Sequence, residues 1–147
     1  MMDILFIVIV LFAVIETLNV FTLYFKPGTR RGNGIGVFNA YQKSKADPDV
    51  HALVKYLINW VAGTKIIFIS LLIVILILGN VTMRIFSVIA LILSILTFYW
   101  RLYPAIRNLD KVGQITPKGY SKNLGFMIAG FIAIFTITLI IYLMFFH

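Results

Sequence analysis

Hydrophobic residues fall in four blocks along this chain, near residues 4–25, 58–79, 81–103 and 124–146. Each block is about 20 residues or longer. That is enough to cross a hydrocarbon core of roughly 30 Å as a helix rising about 1.5 Å per residue. The few polar residues inside the blocks recur at three- and four-residue steps, which is a helical period. The pattern predicts an all-α fold: one integral membrane domain in which four transmembrane helices form a bundle.

The block ends carry their own signals. Lys26-Pro27-Gly28 closes the first span with a basic residue and two helix breakers. The second span ends at Gly79-Asn80 and the third follows almost without a loop, so the two form a tight antiparallel hairpin. Pro104 is expected to stop the third span. In the first connection, Gly28 to Gly36 reads as loose basic chain and Val37 to Ala46 as a short interfacial helix. Asp47-Pro48-Asp49 then reads as a helix start, with Asp47 at the N-cap, Pro48 in the first turn and both carboxylates at the positive helix end. A helix running on to Gly79 would be about 48 Å long, so it must project beyond the core or tilt.

Charge orients the spans. Of the 13 Lys and Arg, six lie in the first connection (Lys26, Arg30, Arg31, Lys43, Lys45, Lys55) and five in or at the edge of the third (Arg101, Arg107, Lys111, Lys118, Lys122). The positive-inside rule then places the connections 26–55 and 104–122 in the cytoplasm and both termini outside. The expected location is a prokaryotic plasma membrane. Aromatic residues at the same ends of the spans (Tyr24, Phe25, Tyr56, Trp60, Tyr99, Trp100, Tyr103) agree with that orientation, because amphipathic rings favour the headgroup level. Lys26, Arg30, Arg31, Arg107 and Lys111 are the candidates for contact with anionic lipid headgroups. The net charge of +8 therefore points to the membrane surface and not to nucleic acid.

Glu16 is the one acidic residue at membrane depth, where an ionisable group is costly and marks function or a partner. Asn19 lies one turn on, on the same face. Counting inward from the span ends brings Lys65 within reach. Two readings follow: a buried Glu16–Lys65 ion pair, or a protonatable coupling acid. In the third span, Arg84, Ser87, Ala90, Ser94, Thr97 and Arg101 share a face. They would either line a polar path or pack into the bundle while the arginines reach the headgroups. Gly125, Ala129 and Ala133 stand four residues apart on the fourth span and suit close helix packing, within the molecule or between copies; Gly63 belongs to a similar small face on the second.

With no cysteine, thiolate metal sites and a Cys nucleophile are excluded. No Ser-His-Asp set, metal cluster or phosphate loop stands out, so no enzymatic activity, metal or cofactor is expected. Four spans with a key glutamate in the first is a layout similar to that of the small multidrug-resistance transporters. The chain departs from it in its long basic first connection, the lysine in its second span and its length, and no family assignment follows. The leading expectation is a non-enzymatic membrane subunit that assembles with itself or with a partner membrane protein and contacts anionic lipid. The alternative is a small oligomeric ion- or proton-coupled transporter or channel using Glu16.

Overall fold

The computed structural model describes residues 3–30 and 33–145. Six α-helices occur among them: α1 (Ile4–Phe25), α2 (Asn39–Ser44), α3 (Pro48–Leu78), α4 (Val81–Leu96), α5 (Phe98–Lys111) and α6 (Tyr120–Phe145), with a 3-10 turn at Ile35–Val37. Four are long and apolar enough to cross a membrane, counting α4 and α5 as one rod over Val81–Lys111. The chain is a small membrane protein built as an all-α four-helix bundle.

The helix starts are made by local carboxylates and amides. Asp3 caps α1, its Oδ1 accepting from the Phe6 N–H at 2.7 Å. Asp47 caps α3, with Oδ1 accepting from Asp49 and Val50 at 3.1 Å each. Asn80 caps α4 by accepting from Met83 at 2.9 Å, so the α3–α4 hairpin needs only Gly79 and Asn80 as its turn. Each such bond satisfies an N–H that the helix itself leaves open.

The third span departs from expectation at Pro104, which does not end it. The helix breaks earlier, at Thr97, and then runs through Pro104 to Lys111. At the break the chain tightens: Thr97 N–H bonds Ser94 O at 3.2 Å, Trp100 N–H bonds Thr97 O at 3.1 Å, and the Thr97 hydroxyl donates to Ser94 O at 2.6 Å. Proline removes one donor and crowds the carbonyl one turn back. Packing of α5 on α6 outweighs that cost. Tyr99 donates its hydroxyl to Gly125 O at 2.6 Å, and Ile106 is buried beside Leu124. The connection expected at 104–122 is therefore short, covering 112–119, and α6 begins at Tyr120. Phe146, the expected end of the fourth span, lies outside the described residues.

The central helix is α1, which packs on α3, α4 and α6. Phe12 organises the core, with edge-on contacts to Phe68, Phe131 and Phe135 at centroid distances of 6.1, 5.6 and 5.2 Å. Leu5, Ile9, Val88 and Phe135 are fully or almost fully buried around it. The outward surface is apolar too: Ile67, Ile77, Phe86, Leu93 and Phe126 are all exposed. In water such a surface would drive association, whereas in lipid it matches its solvent.

At the far end from the termini the two basic connections dock on one another. Asn39 N–H bonds Gln114 O and Thr116 N–H bonds Val37 O, both at 2.9 Å. The Asn39 side chain adds a bond to Gly113 O at 3.1 Å and accepts from the Thr116 hydroxyl at 3.0 Å. Val37 and Ile115 are buried beneath. Within the first connection Gly36 packs directly on Gly28, where a Cβ would fall 2.0 Å from Gly28 O. The connections thus form one folded cap.

Candidate functional site: the Glu16–Lys65 pair and its cavity

Glu16 on α1 and Lys65 on α3 meet at 2.5 Å between Oε2 and Nζ, with side chains 18% and 23% exposed. The pair lies where α3 packs along α1, beside the buried Val20, Ala62 and Ile69. Two opposite charges in contact at this depth leave little net charge for lipid to solvate, which is the condition for keeping either one there.

The other face of Glu16 borders a cavity of about 280 Å³, shared with Phe12, Asn19, Ile95, Met127 and Phe131. Its walls are mostly aliphatic and aromatic, and α1 supplies most of the polar edge. Asn19 has no hydrogen-bond partner, and its Oδ1 is buried. The Thr22 hydroxyl, also on this edge, donates to Leu18 O at 3.0 Å. Glu16 and Lys65 are therefore brought into contact, and Asn19 meets Glu16 only as a fellow wall of the cavity.

The polar stripe of the third span turns outward instead of lining the bundle. Ser94, Thr97 and Arg101 are exposed and Ser87 is half-buried. Val88 and Leu91 occupy the inward face. Two of the hydroxyls are satisfied by their own helix: Ser87 donates to Met83 O at 2.7 Å and Thr97 to Ser94 O. Arg101 lies over the Trp100 ring at 5.2 Å. Arg84 leaves the stripe altogether. It is buried, donates to Asp3 Oδ2 at 2.8 Å, and stacks over Phe6 at 5.1 Å. An arginine read as a pore mouth instead joins the α1 start to the α4 start.

The small-residue row of α6 divides. Gly125 is internal, and a Cβ there would come within 2.7 Å of the Tyr103 ring. Ala129 and Ala133 are exposed, with open space beside neighbouring Gly130. Gly63 is half-buried on α3, near the Tyr24 hydroxyl. Lys26, Arg30, Arg107 and Lys111 are exposed at the capped end. Arg31 lies outside the described residues.

One buried carboxylate has no counterpart in the sequence pattern. Asp110 is buried in the cap and accepts from Gly119 N–H at 2.9 Å, Ser121 N–H at 3.0 Å and the Ser121 hydroxyl at 2.6 Å. It caps α6 from α5. Asp110 belongs to the charged end of α5, past the apolar stretch. The Ser121 hydroxyl, then the Gly119 amide, hold its carboxyl below the ordinary range, against the opposing effect of burial. The clue in the sequence was negative: Gly119 precedes α6 with no side chain of its own to cap it. Among the described residues no group of three His, Asp or Glu comes together to hold a metal. No family model, no curated protein and no solved structure matches the chain.

Proposed function

We propose that the protein is a non-enzymatic subunit of a membrane assembly, formed with further copies of itself or with a larger partner, and that its basic cap rests on anionic lipid at the cytoplasmic face. The observation that carries this reading is the Glu16–Lys65 contact at 2.5 Å. A carboxylate already neutralised by a lysine is a poor proton carrier and a good clamp between helices. Two features support the rest. The exposed Lys26, Arg30, Arg107 and Lys111 gather on a cap held by backbone bonds between the connections, which gives anionic headgroups a fixed surface. Ala129 and Ala133 on α6 are exposed beside the open space at Gly130, a small-residue row of the kind that close helix association uses.

A second reading, a small ion- or proton-coupled transporter working as an oligomer, draws on the cavity beside Glu16 and Asn19. Proteoliposomes separate the two. A subunit gives no proton-linked or ion flux above empty vesicles, floats better with vesicles containing anionic lipid than with neutral ones, and leaves gentle detergent as a complex. Flux that Glu16→Gln abolishes while the fold persists would establish the transporter reading and defeat the proposal.

A further inference from the structure

The cavity between α1, α4 and α6 holds an unanswered polar group. The Asn19 amide lacks a protein hydrogen-bond partner, and its Oδ1 is shut off from solvent. A buried amide left unpaired costs about 1–3 kcal/mol, and because Asn19 lines the cavity, a turn of its side chain presents that amide to a ligand group that bonds it. We propose that this cavity binds an uncharged, membrane-dissolved alcohol, with the hydroxyl on Asn19 and the apolar body against Phe12, Ile95, Met127 and Phe131.

Charge and bonding select that class. The adjoining Glu16 is matched by Lys65 at 2.5 Å, so the site offers a closed ion pair and no net charge. An anion would face the Glu16 carboxylate, and an ammonium would compete with Lys65 for it. A hydroxyl both donates and accepts, so it serves either end of the Asn19 amide. Thr22 gives its hydroxyl hydrogen to Leu18 O, which leaves its oxygen as a further acceptor. Size agrees. The volume of about 280 Å³ falls just under the usual span of ligand sites, roughly 300 to 1,000 Å³, which suits a small ligand. A second cavity of about 340 Å³, lined by Phe98, Leu102 and Leu109, shares Asn33 and Ile128 with the first and has room for a longer chain. This site stands independently of the assembly reading.

The probe is a long-chain primary alcohol carrying a mid-chain diazirine, photolysed with the full-length protein in nanodiscs. Labelling is expected to saturate, to map to Met127, Ile128 and Phe131, and to be displaced by the unlabelled alcohol but not by the alkane or the alkylammonium of equal length. Asn19→Leu should weaken competition about tenfold, the effect of one lost hydrogen bond at a buried site. Met127→Trp, which fills the cavity from α6 and leaves the Asn19 side chain in the sequence, should abolish the saturable labelling and keeps the test decisive if Asn19→Leu folds poorly. Non-saturable labelling spread over the outer helix faces would overturn the site. Equal displacement by the alkane or the ammonium would overturn the assigned class.

Discussion

Lys65 reaches Glu16 across 49 positions of sequence to place its ammonium 2.5 Å from the carboxylate, and this contact ties α3 to α1 within the bundle. Removing one partner leaves the other charge uncompensated. For fully buried pairs this costs about 3–5 kcal/mol; the partial exposure here reduces the expectation to about 2 kcal/mol. Glu16→Gln and Lys65→Met should each lower stability by about that amount in detergent unfolding, and the double variant should recover most of it. Additive losses in the cycle would show that the contact contributes nothing.

Asp3 has two roles at the opposite end. Its Oδ1 caps α1 and its Oδ2 receives Arg84. Asp3→Asn keeps an acceptor for the Phe6 amide but removes the charge, whereas Asp3→Ala removes both. Hydrogen exchange at Phe6 should rise modestly in the first variant and about fivefold more in the second, since an N-cap is worth about 1 kcal/mol. Equal exchange in both would assign the whole effect to the ion pair.

Asp110 links α5 to the start of α6, and its folded-state pKa lies below the ordinary carboxylate value. The sign follows. The unfolded chain takes up the proton first as pH falls, so the stabilisation is fully present above the usual carboxylate pKa of about 4 and is lost as pH drops through the lower folded value. Amide protection of Gly119 and Ser121 should hold at pH 5 to 7 and collapse only in stronger acid. Asp110→Ala should remove it at every pH, at a cost of about 2 kcal/mol.

What the sequence revealed follows from where the determining forces act. The spans and the Asp47 cap are set by period and by neighbours within a turn, so they are legible. The Glu16–Lys65 approach is legible for another reason: depth in the membrane fixes which ionisable groups can meet. Three features were hidden. The cap depends on backbone bonds such as Asn39 to Gln114, which have no side-chain signature. The passage of the helix through Pro104 goes with Tyr99 and Ile106 packing against α6. The outward turn of Thr97 is invisible because a helix-satisfied hydroxyl costs little in lipid. Arg84 was drawn into that stripe by spacing, while its partner Asp3 stood 81 positions away.

The α6 row offers the last test, because its members face different surroundings. Gly125 lies under Tyr103, where an added Cβ would sit 2.7 Å from the ring, and its carbonyl accepts from Tyr99. Gly125→Leu should therefore damage the monomer fold by about 2 kcal/mol or more, through overpacking of the α5–α6 seam. Ala129 and Ala133 are exposed, so Ala129→Leu with Ala133→Leu should leave unfolding of the monomer nearly unchanged. If α6 forms the association face, the same double variant should lower the oligomer fraction in gentle detergent, because bulky side chains hold helix backbones apart. Unchanged assembly in that variant would move the contact to another face of the bundle.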